Sequence, residues 1–336
     1  MSIPMLFVIS APRSGSTMLE RILESHSAIK GGPEPHLITP LAHLGVWDKV
    51  DKAPYDHILA AEAQKLFVDT LPQKEQDYWD ACRAYCDVLY GRFLDHSGKT
   101  ICLDKTPAYA LVLPFMVKVF PDAKYVVLTR HPLALFSSYA NSFFDGDYAQ
   151  ALNHNPILKR YVPAIAAFLR QKEVSYIHVR YEDLVKEPEE RMRVVYEYIG
   201  VPFEANSIDY GDSEQSTRKG LGDPIGVQQH SRPTTISLQK WVEELSSDPE
   251  KLSLMERVIS ELDPEDLATC GYPVETLWKA MESVGERRPA SSSKRLTRYR
   301  LQRILIVRLR ALARGNSVFR SLLAKLRLAC DVLLRE

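Results

Sequence analysis

The sequence predicts a three-layer α/β fold, with a central parallel sheet flanked by helices and a C-terminal α-helical extension. Its 336 residues are 45% hydrophobic, which is enough apolar material to bury a full core. Short apolar runs bounded by turn signals alternate with segments of helical periodicity, a pattern typical of parallel sheets. The predicted strands lie at residues 3–9, 100–103, 124–129 and 175–180.

The first predicted strand leads into a loop of small residues around a single cation. Strand Ile3–Ile9 is followed by the stretch SAPRSGST, and Thr17–His26 then shows apolar residues at helical spacing. A loop of this kind directs backbone N–H groups and the positive end of the helix dipole towards one point. Together with the arginine and the hydroxyl groups, it predicts a site for a phosphate or a related oxyanion. The candidate residues are Arg13, Ser14, Gly15, Ser16 and Thr17.

The same loop departs from the usual nucleotide-binding loop. The pattern G-x-x-x-x-G-K-[ST] begins with a glycine and carries a lysine before its hydroxyl residue. The stretch APRSGST has neither feature. A nucleotide kinase or NTPase is therefore kept only as the alternative enzyme class, to be decided by whether ATP binds with magnesium.

A second strand–loop–helix unit carries an arginine and a serine at a fixed spacing. The β-branched strand 125–129 ends at Arg130, and Pro132 suits the first turn of a helix. Ser138 follows Arg130 by eight residues, about two helical turns. An arginine fork and a hydroxyl can converge on one phosphate group. This unit therefore predicts a second anion site.

Two further segments add candidate ligand contacts. The stretch STRKGLGDP supplies the cations Arg218 and Lys219, and Gly220 allows close approach of the backbone. Another predicted strand runs into Tyr181 at the start of the stretch YEDL. The helix after it is predicted to end at Gly200 as its C-cap.

These four segments resemble, in the same order, the donor-binding motifs of sulfotransferases that use PAPS (3′-phosphoadenosine-5′-phosphosulfate). The first loop is similar to their 5′-phosphosulfate loop, and the Arg130 unit is similar to their 3′-phosphate motif. In family members the R-K-G segment wraps the 3′-phosphate, and the tyrosine lies near the adenine. The resemblance spans residues 3–245. It implies a P-loop-like fold and an enzyme that transfers a sulfuryl group from PAPS to a hydroxyl and releases PAP.

The resemblance also implies a catalytic lysine. Lys105 follows the predicted strand 100–103 at the place where family members carry a lysine, and its ammonium would stabilise the leaving group. A surface lysine that pairs with Asp104 is the structural alternative. The donor needs no metal, because cationic side chains and N–H groups can hold it. The spacings of the five cysteines and nine histidines predict no metal site.

The general base is where the chain departs from the cytosolic members. Pro107 stands where those enzymes carry their histidine base. Glu34 falls at the position of the glutamate base of the tyrosylprotein class, and it would take the hydroxyl proton if burial raised its pKa. His36 and His230 are the alternative bases, and a merely structural loop carboxylate is the alternative for Glu34.

A last donor contact is predicted near residue 232. In the tyrosylprotein class a Lys-Pro pair precedes a helix and contacts the donor, and Arg232 with Pro233 stands in for it here. The helix that follows is predicted to be capped by Thr234 or Thr235 and anchored by Trp241.

The chain is predicted to divide into a sulfotransferase domain, a linker and a tail. The domain covers residues 1–286 and contains a helical acceptor-side insert at 37–98; the linker is 287–293 and the amphipathic tail is 294–336. Residues 287–336 hold 14 Lys and Arg against two acids, whereas the preceding part has a net charge of −12. This asymmetry predicts docking of the tail on the acidic domain or on a second subunit of a homodimer, on a membrane surface, or on an acidic carrier protein.

The sequence leaves the acceptor open. A small metabolite, lipid, saccharide, peptide or carrier-bound chain would each supply a hydroxyl, and nucleic acid is not an expected partner. Sulfotransferase domains that trigger decarboxylation of carrier-bound chains share the PRSGST loop and a stretch like the one that ends at His230. A non-catalytic PAP-binding module is a further alternative. No stretch reaches the about 18 apolar residues of a transmembrane helix, and the cysteines show no pairing pattern, so we expect a cytoplasmic protein.

Overall fold

The computed structural model describes most of the predicted domain. The described residues are 3–32, 34, 38–42, 64–210, 231–282 and, near the C-terminus, 316–318, 321, 322 and 325. The linker 287–293 and nearly all of the tail 294–336 lie outside these residues.

A parallel sheet of five strands forms the centre of the described part, in the order β2-β3-β1-β4-β5. The three middle strands are largely apolar and buried on both faces, as parallel strands covered by helices must be, whereas the two edge strands are only partly buried. The register places Val8 beside Val126, and Val126 beside Ile177. The predicted α/β fold is confirmed. The strands are β1 Met5–Ser10, β2 Ile29–Lys30, β3 Ile101–Asp104, β4 Lys124–Thr129 and β5 Tyr176–Arg180.

Helices follow the strands and cover both faces of the sheet. Short 3₁₀ helices add two further turns, at Pro107–Leu111 and Ala205–Ile208. None of the described helices is long and apolar enough to cross a membrane. The α-helices are α1 Ser16–Ser25, α2 Ile38–Ala42, α3 Glu75–Leu94, α4 Leu113–Val119, α5 Pro132–Phe144, α6 Tyr148–His154, α7 Ile157–Arg170, α8 Tyr181–Lys186, α9 Pro188–Ile199, α10 Lys240–Ser247, α11 Pro249–Ser260, α12 Pro264–Thr269, α13 Val274–Leu277 and α14 Lys279–Glu282.

The core has two parts, one on each face of the sheet. Side chains alternate along a strand, so Leu6 and Val8 pack on one face against α1 and α9. Phe7 and Ile9 pack on the other face against α4 and α7. Because both faces are covered, the edge at the carboxyl ends of the strands is where loops can form a ligand site.

Two predictions of helix ends have different outcomes. Gly200 is the C-cap of α9, with a φ of 92° and its N–H donating to the last turn, as predicted. The prediction that Thr234 or Thr235 caps the next helix is wrong, because the Leu238 amide closes a turn onto the Thr235 carbonyl (3.0 Å) and α10 begins only at Lys240.

Candidate active site

The loop between β1 and α1 adopts a strained backbone. Arg13 has a φ of 69° and Gly15 a φ of 91°, both in the left-handed region that costs a non-glycine residue about 1–2 kcal/mol. The amide of Ser14 donates to the Ala11 carbonyl (3.3 Å), which closes the turn. Since α1 starts at Ser16, the first N–H groups of this helix have no intrahelical partner. The loop therefore presents free donors at a helix N-terminus.

Gly15 is required by a neighbour as well as by its backbone. A Cβ at this position would lie 2.4 Å from Cδ2 of the Tyr181 ring. We expect Gly15→Ala to lower the free energy of unfolding by about 2–4 kcal/mol, from backbone strain plus overpacking. Gly200→Ala is the matched control, because its φ of 92° is the same and a Cβ there meets nothing within 4 Å. Equal destabilisation of the two variants in chemical denaturation would contradict the packing argument.

A cavity of about 360 Å³ opens at the carboxyl ends of the strands, directly above this loop. Residues from five sequence segments line it, and most are cations or hydroxyl side chains. The structure thus brings together most of the residues predicted for the two anion sites. The predicted residues that line the cavity are Arg13, Gly15, Ser16, Thr17, Arg130, Ser138, Tyr181 and Arg232.

The two predicted anion motifs meet within this cavity. Nε of Arg13 donates to Oγ of Ser138 (3.3 Å), and Nη1 of Arg130 donates to the Arg13 carbonyl (2.9 Å). Nε of Arg130 is buried and has no hydrogen-bond partner among the described residues. The buried hydroxyl of Ser14 likewise has none within that part of the chain. Two polar donors of these motifs are therefore left without an acceptor in the described part of the chain, and an anion would supply one.

Tyr181 forms one wall of the cavity. The Arg130 guanidinium carbon lies 4.4 Å from the centre of its ring, a cation–π contact. Its hydroxyl lies 3.0 Å from Oγ of Ser237, in the segment before α10. The tyrosine thus links the arginine to the segment that closes the opposite side.

Helix α10 is held against α5 by a partly buried carboxylate. Oε2 of Glu244 accepts hydrogen bonds from Ser137 (2.6 Å), Asn141 (2.8 Å) and Tyr148 (3.1 Å). The ammonium of Lys251 contacts the other oxygen of Glu244. This network fixes the cavity wall that α5 and α10 share.

Arg232 lies at the rim rather than deep in the cavity. Its guanidinium pairs with Glu189 and with Asp209 (3.3 Å). These side chains are about half exposed, so the pairs contribute little stability. Arg232 is therefore placed at the cavity, with two carboxylates competing for its charge.

A cluster behind Arg130, which sequence reasoning missed, orients the strand end. The backbone amide of His131 donates to Oε1 of Glu182 (2.9 Å). The imidazole ring of His131 stacks on Trp241, with the two ring centres 4.5 Å apart. The hydroxyl of Tyr272 donates to Oε2 of Glu182 (2.6 Å). Burial lowers the pKa of His131 to about 4, against the opposing effect of Glu182, so its ring is neutral. In the sequence, the only signal for His131 is its position next to Arg130.

Lys105 is one of the most buried side chains of the described chain, with 1% exposed. Its ammonium contacts Oε1 of Glu34 and lies 3.3 Å from Oε2 of Glu20. Burial acts to lower the pKa of Lys105, but the two carboxylates outweigh it and the pKa is raised. Lys105 therefore stays charged, and the structure places the predicted base and the predicted catalytic lysine in contact.

Asp104 has a different set of partners, so the alternative of a surface lysine paired with it is wrong. Its carboxylate accepts hydrogen bonds from the hydroxyls of Tyr90, Tyr109 (2.9 Å) and Thr106 (3.2 Å). Burial raises the pKa of Asp104 to about 6, despite these hydrogen bonds. The aspartate anchors α3 and the 3₁₀ turn to the end of β3, whereas the next residue, Lys105, reaches the glutamates.

The remaining predicted site residues, His36, Arg218, Lys219, Gly220 and His230, lie outside the described residues. Within the described ranges, no group of three or more His, Cys, Asp and Glu side chains is placed to hold a metal ion.

Comparisons with known proteins identify the family. The model of the sulfotransferase family matches residues 4–205, more than half of the chain. Nodulation protein NoeE of Sinorhizobium fredii is 27% identical over 229 residues, which cover 62% of this chain and 52% of that protein. A protein-tyrosine sulfotransferase of Drosophila melanogaster is 21% identical over 255 residues, covering 73% of this chain and 48% of that protein. The chain thus spans about half the length of these two relatives.

Solved structures show the same fold. The sulfotransferase domain from the Synechococcus PCC 7002 olefin synthase has a TM-score of 0.52 and 24% identity, over 78% of this chain and 98% of that domain. The sulfotransferase domain from the curacin biosynthetic pathway has a TM-score of 0.50 and 21% identity, with the same coverage. Because the family model matches more than half of its residues, the chain belongs to the sulfotransferase family.

Proposed function

We propose that the enzyme transfers the sulfuryl group of PAPS to an acceptor hydroxyl and releases PAP. The observation that carries this proposal is the cavity in which Arg13, Arg130 and Ser138 converge. PAPS presents a 5′-phosphosulfate and a 3′-phosphate, and a cavity with two arginines and a helix N-terminus suits a ligand with two anionic ends.

Each part of the donor has matching residues in this proposal. Arg13 and the first amides of α1 hold the 5′-phosphosulfate, and Arg130 with Ser138 holds the 3′-phosphate. The buried Nε of Arg130, unpaired within the described chain, fits this role, since it can donate to a phosphate oxygen. Tyr181 supplies an aromatic surface for the adenine. Arg232 at the rim adds a positive charge to the entrance.

The proposed reaction is an in-line displacement at sulfur. The acceptor oxygen forms a bond to sulfur while the bond from sulfur to the bridging oxygen of the 5′-phosphate breaks. Glu34 takes the acceptor proton, and Lys105 stabilises the negative charge that develops on the bridging oxygen. The contact between these two side chains supports Glu34 over a merely structural loop carboxylate. His36 and His230 stay as the competing bases.

Because the chain belongs to the sulfotransferase family, we do not propose a nucleotide kinase or an NTPase. The loop around Arg13 also lacks the lysine of the usual nucleotide-binding loop. In the proposal the acceptor is a hydroxyl compound. The carrier-bound alternative differs from simple transfer in its acceptor, so assays with a carrier-bound hydroxyl substrate beside free hydroxyl compounds separate the two.

Replacement of the base tests the proposed roles. Glu34→Gln keeps the size of the side chain but removes the proton acceptor, so we expect kcat to fall by about 100- to 10,000-fold. Affinity for PAP should stay within about threefold of the intact protein, because the base does not hold the donor. The measurement is PAP release from labelled PAPS with a panel of hydroxyl acceptors. His36→Gln is the matched control, and full activity of Glu34→Gln with loss in His36→Gln would reassign the base.

A further inference from the structure

Two carboxylates share one ammonium in a nearly dry part of the site. The side chain of Lys105 is 1% exposed, and those of Glu20 and Glu34 are 10% and 11% exposed. Glu34 makes the closer contact with the ammonium, and Oε2 of Glu20 lies 3.3 Å away. Glu20 comes from α1, one turn beyond Ser16, which lines the donor cavity.

The charges of this group do not balance if all three side chains are ionised. One ammonium then faces two carboxylates, which leaves a net negative charge where little water can screen it. Burial disfavours the charged form of a carboxylate, and a like charge nearby adds to the effect. One of the two glutamates therefore keeps a proton.

The surroundings identify Glu20 as the glutamate that keeps the proton. Glu34 makes the closer contact with the ammonium, whereas Oε2 of Glu20 lies 3.3 Å from it. Glu20 faces the carboxylate of Glu34 from the loop after β2 and that of Glu24 from its own helix, with Lys105 as its cation. Burial raises the pKa of Glu20 to about 8, and the two carboxylates add to this against the lowering effect of Lys105.

A proton on Glu20 matters for an anionic ligand in the adjacent cavity. With the proton in place, Lys105 and Glu34 form a neutral pair beside the phosphate-binding loop. Without it, an extra negative charge lies one helical turn from that loop and competes for the ammonium. Both effects oppose the binding of phosphate and sulfonate groups.

We propose that Glu20 is a positioning residue that must carry a proton for the anionic donor to bind, so that donor affinity is lost at alkaline pH. This inference rests on the proposed function, because it assumes that the donor is PAPS. Glu20 touches no reacting atom; it acts through the charge of Lys105 and Glu34.

The test is calorimetric titration of PAP across the alkaline range. Between about pH 7 and 9.5 the phosphates of PAP are already ionised, since their second pKa lies near 6. We expect the affinity of the intact protein to fall by about tenfold or more over this range. Glu20→Gln mimics the protonated carboxyl, so its affinity should match that of the intact protein at about pH 7 and stay within about twofold up to pH 9.5.

The control is Glu24→Gln, which removes the neighbouring buried carboxylate of the same helix. It should keep the alkaline loss of affinity. The same loss in Glu20→Gln as in the intact protein would overturn the inference. If Glu20→Gln does not fold, the carboxyl carbons of the intact protein labelled with ¹³C-glutamate provide a second test. We expect the carboxyl carbon of one glutamate to titrate with a pKa of about 8. If no glutamate titrates above neutral pH, the inference is refuted.

Different results would refute the proposed function and the role of Glu20. Absence of PAP binding by the intact protein at neutral pH would refute the proposed function. PAP binding at neutral pH with no alkaline loss would leave the proposed function in place and refute the role of Glu20.

Discussion

Replacement of Lys105 by methionine is expected to lower stability more than any other single change in the site, and to lower turnover as well. The ammonium is buried between Glu20 and Glu34, and its removal leaves both glutamate side chains without their cation. Breaking a buried ion pair from one side costs about 3–5 kcal/mol. In the proposed reaction Lys105 stabilises the leaving group, so we also expect the loss of its charge to lower kcat by about 100- to 1000-fold.

The stability effect has a defined pH dependence. Lys105 lowers the pKa of Glu20, so its removal raises this pKa further above the value in the unfolded chain. A raised carboxyl pKa destabilises the folded state as pH rises above the unfolded value, and the effect is absent where the carboxyl is protonated in both states. Because Glu20 already keeps its proton up to about pH 8 in the intact protein, the deficit of Lys105→Met should be constant below about pH 7 and grow as pH rises through about 8.

Chemical denaturation at several pH values measures this difference. Lys118→Met is the matched control, since Lys118 pairs with Glu173 on the surface, where both side chains are more than half exposed. Its stability should change by less than about 1 kcal/mol at every pH. A deficit of Lys105→Met that does not depend on pH would contradict the charge balance described for the three side chains.

Replacement of Arg130 by alanine is expected to abolish most of the donor affinity. Two charge-assisted hydrogen bonds from one guanidinium contribute about 3–6 kcal/mol, so the affinity for PAP should fall by roughly 100-fold or more. The change also removes the cation over the Tyr181 ring and the hydrogen bond to the Arg13 carbonyl, so the loop loses support as well.

Two variants make this test specific. Arg130→Lys keeps the charge but loses the planar fork, and we expect an intermediate affinity. Arg191→Ala removes an arginine from a surface pair with Glu187 on α9, and its affinity for PAP should be unchanged. If Arg130→Ala binds PAP as well as Arg191→Ala does, then the cavity at Arg130 does not hold the 3′-phosphate.

The parts of the site that could be predicted from sequence are those encoded within one segment. The loop around Arg13 and the unit from Arg130 to Ser138 each combine a strand end, a turn and a helix start, so local pattern places their residues on one edge of the sheet. Their meeting in one cavity follows from the pairing of β1 with β4. The alternation of strands and helices indicates a parallel sheet, but it does not say which strands are neighbours.

The group of Lys105, Glu20 and Glu34 depends on strand pairing between distant segments, which no local sequence pattern shows. Strand β2 has two residues, too few for periodicity to identify, yet its pairing of Ile29 with Ile101 brings the loop that carries Glu34 beside the end of β3. Glu20 was also missed, because its role depends on a contact with a residue far away in the sequence. Its sequence context is that of an ordinary helix carboxylate, and only its distance from Lys105 gives it a role.

The measurement that tests the central claim most directly is calorimetric titration of PAP into the intact protein without magnesium, beside a titration of ATP with magnesium. We expect PAP to bind at one site per chain, and we expect that ATP with magnesium does not compete for that site. Binding of ATP with magnesium and none of PAP would contradict the assignment of the cavity to a PAPS donor.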